Sequence, residues 1–375
     1  MVSAQVKKEE SQMSLVLKNV SHEVGGQKYL DNVNLTLESG SFNVLLGRTL
    51  AGKTTLMRLM AGLEKPTSGQ IFMNGHDVTG VAVQKRNVSM VYQQFINYPN
   101  LTVRENIASP LRLSKVSENE INKRVKETAD MLQISQYLDR LPLELSGGQQ
   151  QRTSMARALV KDAGLILFDE PLVNLDYKLR EELRSELRVL FAERKSIAVY
   201  ATTEANEAMA LGGVTTLIHE GKILQSGVVN QVYRGPKNIE AAKLFCEPPI
   251  NLIEGQITDD EVSFFDSVHF PLDEKLKDLP KRKFIFGVKP SHISLVPKND
   301  DDLELSMKVE LAEISGSETY LHVYNGQFSL ILQLSGVLNY AIETPVNVYL
   351  PIHKLFVFDL NGLTIKVPKF DMENL

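Results

Sequence analysis

The chain has 375 residues, 43% of them apolar, which is enough for an ordinary globular core and long enough for two domains. Its formal net charge of -5, from 46 acidic and 41 basic residues, gives no basis for a general nucleic-acid binder, and no nucleic acid is expected among its partners. The single cysteine, Cys246, excludes an intrachain disulfide and a multi-cysteine metal site.

Residues 1–13 are polar and charged, without the apolar core of a signal peptide, and no apolar run reaches the length of a spanning helix. The expectation is a chain that is cytoplasmic or held at a membrane by a partner. Leu15–Val20 and Val33–Leu37 read as strands around the turn Gly25-Gly26, and Phe42–Leu46 as a third.

Gly47-Arg48-Thr49-Leu50-Ala51-Gly52-Lys53-Thr54 follows that third strand with the spacing G-x-x-x-x-G-K-[ST] and opens onto the helical run Thr55–Met60. A strand that turns tightly into a helix gathers backbone N–H groups around a volume that polyphosphate fills. Lys53 then reaches the β- and γ-phosphates, and the Thr54 hydroxyl is placed to ligate Mg²⁺. A plain βα turn with a solvated lysine is the competing reading.

Gln70–Met73 and Val88–Tyr92 read as further strands, the second ending in Gln93-Gln94. Residues from about 95 to 157 turn helical, with Ser117-Glu118-Asn119-Glu120 predicted as a capping box. Leu145-Ser146-Gly147-Gly148-Gln149 precedes a helix over Gln150–Val160, with Ser146 as N-cap and glycines that let a ligand approach the free N–H groups.

Leu165–Phe168 is an apolar strand ending in Asp169-Glu170, and an open α/β sheet places its chemistry at that end. Asp169 is positioned to hold Mg²⁺ through water and Glu170 to polarise the attacking water. Ser196–Ala201 is the next strand, followed by Thr202-Thr203-Glu204. The alternation argues for a mostly parallel sheet. From Pro248-Pro249 the period shortens, with strands expected at Phe284–Val288, Met307–Ile314, Tyr320–Val323, Phe328–Leu334, Val346–Tyr349, Leu355–Phe358 and Leu363–Val367, as in a small barrel or paired barrels. His269, His292, His322 and His353 read as packed or solvated imidazoles.

In this order the pieces resemble the ATP-binding subunits of ABC transporters, in the importer class with a C-terminal β-rich regulatory extension. The resemblance rests on GRTLAGKTT, VYQQ with Gln93, LSGGQQQR, LILFDE, and VNLD ending at Asp176, with PPINLIEG and FIFGVKPSHI in the extension. It implies an α/β P-loop NTPase over 14–245, RecA-like with a helical insertion at about 95–157. A barrel-like OB/TOBE-type regulatory or dimerisation domain follows over 246–375.

The resemblance further implies ATP and Mg²⁺ as cofactors. ATP is held by Gly47–Thr55, with Val24 at the adenine position. Ser146, Gly147, Gly148 and Gln149 are donated to a partner's nucleotide. Thr54, Gln93 and Asp169 serve the metal, and Glu170, Lys53, Gln93 and Thr203 the chemistry. Partners are a second ATPase subunit, two membrane permeases and, indirectly, a periplasmic or extracellular solute-binding protein. The location is peripheral, on the cytoplasmic face of the inner membrane.

Four departures change that reading. Leu50 stands where glycine is usual, so the loop should be strained or shifted. Val24 replaces a stacking aromatic, Thr203 the switch histidine, and Val173 a serine. The turn Leu145–Gln149 is unaltered, which points to an asymmetric pair whose second, more standard ATPase supplies the stronger site. GRTLAGKTT, VYQQFINYPNLTV and VYATTE also resemble the glycerol-uptake importers, with sugar, polyol or glycerol-phosphate import as the alternative. Phe95 and Tyr98 are candidate contacts for a membrane subunit's coupling helix. A soluble repair or translation ATPase and a nucleotide binder with little turnover are the competing classes.

Overall fold

A computed structural model describes residues 14–368, except Phe95, Asn174, Arg194, Asp266, Asp273 and Lys275. Phe95, one of the two predicted coupling contacts, thus lies outside the described residues. The chain divides into two compact units, Met1–Val229 and Asn230–Leu375.

In the first unit, β1 (Ser14–Val24), β2 (Gln27–Glu38), β4 (Ser68–Met73) and β5 (His76–Asp77) form an antiparallel sheet in the order β2-β1-β4-β5. The second sheet runs β10-β9-β3-β8-β7-β6, from β3 (Phe42–Leu46), β6 (Val88–Val91), β7 (Leu165–Asp169), β8 (Ile197–Thr202), β9 (Val214–His219) and β10 (Lys222–Val228). All its pairings are parallel except β9 with β10, the antiparallel edge. The sheet is covered on both faces, so β7 and β8 are buried along their whole length and read as unbroken apolar runs rather than alternations.

Helix α1 (Lys53–Ala61) leaves β3 directly and buries Leu56, Met57, Leu59 and Met60 in the core that both sheets share. The helical insertion contains α2 (Val103–Leu113), α3 (Glu118–Met131) and α4 (Gly147–Leu159). Two reciprocal capping boxes start these helices: Thr102 with Glu105, and Ser146 with Gln149. The box predicted at Ser117 does not form. Ser117 is the N-cap by position, but its side chain makes no cap bond, and the Glu120 carboxylate is drawn instead to Arg124 one turn on, at 2.6 Å. Helix α5 (Tyr177–Glu193) lies between β7 and β8 in sequence, and α6 (Ala205–Leu211) follows β8.

The second unit begins within α7 (Val229–Arg234) and continues through α8 (Ile239–Leu244). One sheet runs β13-β12-β11-β14-β19-β20, formed by β11 (Asn251–Ile257), β12 (Glu261–Phe264), β13 (Val268–Pro271), β14 (Lys283–Val288), β19 (Phe356–Phe358) and β20 (Thr364–Lys366). The other runs β17-β16-β15-β18, formed by β15 (Asp302–Ser315), β16 (Glu318–Tyr324), β17 (Ser329–Ser335) and β18 (Pro345–Pro351). Both bury side chains in one core, from Ile253, Phe264 and Phe286 to Val309, Leu321 and Leu350. Asn251 stitches the sheets together, donating to the Ile331 carbonyl at 2.8 Å and accepting its N–H at 2.7 Å. Cys246 packs beside the small apolar cluster of Ile239, Ile250, Phe356 and Phe358. Among the described residues no helix is long and apolar enough to cross a membrane.

Candidate nucleotide site

The loop from β3 to α1 is shaped by backbone geometry that its sequence only partly accommodates. A Cβ on Gly47 would lie 2.4 Å from the Ile218 carbonyl oxygen, so only glycine passes there. Gly52, the N-cap of α1, has φ 105°, a conformation that L side chains rarely adopt. Leu50 sits at φ 66° with its side chain 96% exposed. The expected strain is therefore retained in the loop, and the leucine contributes no burial to offset it. Replacing Leu50 with glycine should raise the unfolding free energy by about 0.5–1 kcal/mol after glycine's own entropic penalty, read as a higher thermal midpoint. An unchanged or lowered midpoint would mean the leucine is not strained.

Lys53 is 5% exposed, and three oxygens surround its ammonium: the carbonyls of Gly47 at 2.8 Å and Arg48 at 3.1 Å, and Glu170 Oε1 at 3.1 Å. Arg48, Thr49 and Thr54 are exposed at the mouth of the loop, Ala51 is buried and Thr55 half-buried. The Thr54 hydroxyl donates to Asp169 Oδ1 at 3.1 Å, and the Gln93 amide donates to Glu170 Oε2 at 3.2 Å. Residues from three parallel strand ends thus converge, as the sheet topology requires of β3, β6 and β7.

Asp169 is 4% exposed, and its burial pushes the carboxyl above the ordinary value; Glu170 adds to this, while the Thr54 bond and Lys53 oppose it. A raised native pKa means this group favours the fold below the unfolded value and loses that contribution as pH rises through the native one. Asp169→Asn should therefore raise the unfolding midpoint at neutral pH and flatten its pH dependence on that side. A lowered midpoint at pH 7 would contradict this.

Other predicted residues stand apart from this cluster. Val24 is 56% exposed at the end of β1, and Thr203 is exposed on the bend after β8. The bonds of Ser146 and Gln149 close on their own turn: Ser146 N–H donates to Gln149 Oε1 at 3.0 Å and Gln149 N–H to Ser146 Oγ at 3.4 Å. A Cβ at Gly147 would meet nothing within 4 Å, whereas one at Gly148 would sit 2.6 Å from Leu179 Cδ2. The first glycine thus opens the helix end to an incoming ligand, and the second lets α5 pack close.

Three supports were not foreseen. The fully buried Asn106 accepts from the Tyr98 N–H at 2.8 Å, and the two N–H groups of its amide are shared among the carbonyls of Tyr98, Leu101 and Thr102 at 2.9–3.1 Å, fixing the loop before α2. Arg157 of α4 reaches the Ile96 carbonyl at 2.5 Å and lies over the Tyr98 ring at 4.9 Å. Glu207, whose carboxyl burial pushes up, receives hydroxyl bonds from Tyr200 and Thr202 beneath the Thr203 bend. An asparagine inside an otherwise apolar helical face was the one readable signal among them.

The loop, the buried lysine and the strand-end carboxylates define a P-loop nucleotide-hydrolase site. The family model described as ABC transporter matches residues 30–173. The chain is 40% identical over 291 residues to sn-glycerol-3-phosphate import ATP-binding protein UgpC 1 of Rhizobium etli, covering 78% of this chain and 80% of that one. It is 33% identical to UgpC of Escherichia coli K12, covering 89% of this chain and 94% of that one. It also superposes on the ATP-binding cassette MJ0796, a dimer in a post-hydrolysis state bound to ADP and Pi. The TM-score there is 0.53 with 30% identity, over 57% of this chain and 98% of that one. The chain belongs to the ATP-binding subunits of ABC importers, a family of ATP hydrolases that work with membrane permeases.

Proposed function

We propose that the chain drives uptake of glycerol or a closely related small polyol from the cytoplasmic face of the membrane, paired with a second, more standard ATPase subunit. The observation that carries the asymmetry is the split between its two surfaces. Leu50 strains its own phosphate loop, and Val24 and Thr203 supply no aromatic ring and no imidazole, whereas the capped turn at Ser146 keeps both glycines. The glycerol reading is supported by the resemblance of GRTLAGKTT and VYATTE. The names of the relatives favour sn-glycerol 3-phosphate as the second reading.

In the mechanism we infer, ATP phosphates displace the Gly47 and Arg48 carbonyls and Glu170 from Lys53. The N–H groups of the loop and of the first turn of α1 then surround them. Thr54 and Asp169 present two hard oxygens 3.1 Å apart, the donor type Mg²⁺ prefers, and the buried Asp169 carboxylate gains from a cation. The ion, when bound, neutralises phosphate charge. Glu170 takes the proton of the attacking water, and the Gln93 amide holds Glu170 Oε2 in place for it. Tyr98, half exposed on the loop that Asn106 fixes, faces the permease, and the β-rich 246–375 segment serves dimerisation or regulation.

The test has two parts. Cells lacking the chain, complemented with the wild type, are assayed for uptake of labelled glycerol and of labelled sn-glycerol 3-phosphate; restoration of the phosphate ester alone would move the substrate to the second reading. The complex is then purified, and Glu170→Gln in this chain is compared with the matching change in any second ATPase. A complex holding two copies of this chain, or equal losses from both changes, would remove the asymmetry.

A further inference from the structure

One guanidinium joins the bend that carries Thr203 to the loop that follows Glu170. Arg180 lies in the first turn of α5. Its Nη1 is 2.8 Å from Glu204 Oε1, and its Nη2 reaches the carbonyls of Val173 at 3.5 Å and Leu175 at 3.4 Å. Glu204 follows Thr203 directly, and its N–H donates to Thr202 Oγ1 at 3.0 Å. The Thr202 carbonyl in turn accepts the Gly47 N–H at 3.3 Å, at the start of the phosphate loop. On the other side, the Val173 N–H closes a turn onto the Glu170 carbonyl at 3.5 Å. The neighbouring Leu179 fills the space against Gly148, at the open helix end.

The ion pair itself is partly exposed, with side-chain exposures of 21% for Arg180 and 44% for Glu204, so its Coulomb attraction contributes little to stability. What the arrangement supplies is geometry. The planar fork bridges a side-chain carboxylate on one segment and backbone carbonyls on another, which a point charge does less well. Among the described residues the buried Arg180 Nε has no hydrogen-bond partner, a cost the fold bears while the fork keeps its span. Thr203 is too short to fix its own distance to a terminal phosphate as an imidazole would, so the bend must be set from behind.

We propose that Arg180 is a positioning residue for hydrolysis, locking the Thr203 bend to the Glu170 turn so that both meet the nucleotide as one body. The proposal rests on Glu170 acting as the base but on neither the solute nor the dimer composition.

The variants are Arg180→Met, Glu204→Gln and their combination. They are measured in the complex assembled with its permease and ATPase partners, with the catalytic glutamate of any second ATPase subunit changed to glutamine. Loss of turnover on Glu170→Gln in this chain tests Glu170 first, and the variants are then read against the otherwise unmodified chain. Arg180→Met should lower kcat about tenfold, with the KM for ATP within about twofold and the unfolding midpoint nearly unchanged. Glu204→Gln should lower kcat less, because the two carbonyl contacts remain. The double variant should be no worse than Arg180→Met alone. Unchanged kcat, fully additive losses, or a kcat loss matched by a higher KM and a lower midpoint would each overturn the proposal.

Discussion

Glu170→Gln should reduce ATP turnover at this chain's site by about two to four orders of magnitude, the range spanned by loss of a positioned general base. Nucleotide affinity should hold or rise. Lys53 lies 3.1 Å from Glu170 Oε1, so in the nucleotide-free chain the carboxylate competes with phosphate for that ammonium. Glutamine keeps the shape and removes the competitor. The separation of the two effects is the diagnostic, and it is measured as steady-state hydrolysis beside equilibrium ATP binding. Residual turnover within tenfold of wild type would transfer the base to another group.

Gly47→Ala should be the most damaging single-methyl change in the site. The added carbon would meet the Ile218 carbonyl oxygen at 2.4 Å and the Ile218 Cγ2 at 2.8 Å, and the first of those contacts is with the backbone of β9, a strand paired on both sides, with β3 and β10. Strand β9 cannot yield, so the loop must move, at a cost of about 2–4 kcal/mol in overall stability. The displaced amides would also no longer converge on one volume. A chain that remained folded would lose ATP binding by at least about a hundredfold. Retained binding would mean that the loop adapts elsewhere, with the exposed and strained Leu50 the point of give.

The site was legible because its parts are local. A phosphate loop is written in eight consecutive residues, and Asp169-Glu170 end a strand whose burial on both faces shows as unbroken apolarity. Leu50 illustrates how far such reading extends: glycine-like geometry could be inferred at that position, and the backbone indeed holds φ 66°. Interactions between distant segments were not legible. Arg180 and Glu204 are separated by 23 intervening residues, and nothing local links them.

The β-rich unit shows the same limit. Strands β11 to β13 escaped because Gly255 and the acidic Asp259-Asp260 turn interrupt their alternation. Gly255 is required by its neighbours, since a Cβ there would strike the Ser263 carbonyl at 2.6 Å. The Ser117 box failed for a converse reason. The motif was present, but an arginine four residues further on competed for the same carboxylate.

Asn106 bears on how fast the ATPase would engage its permease at the docking loop we propose. Four polar contacts of one side chain, one accepted and three sharing its two amide protons, hold the segment from Tyr98 to Thr102 in a single shape before any partner arrives. A permease helix docking there, as we propose, would meet a preformed seat and have only its own freedom to lose. Engagement and release at such a seat would then repeat with each catalytic cycle without a refolding step between strokes.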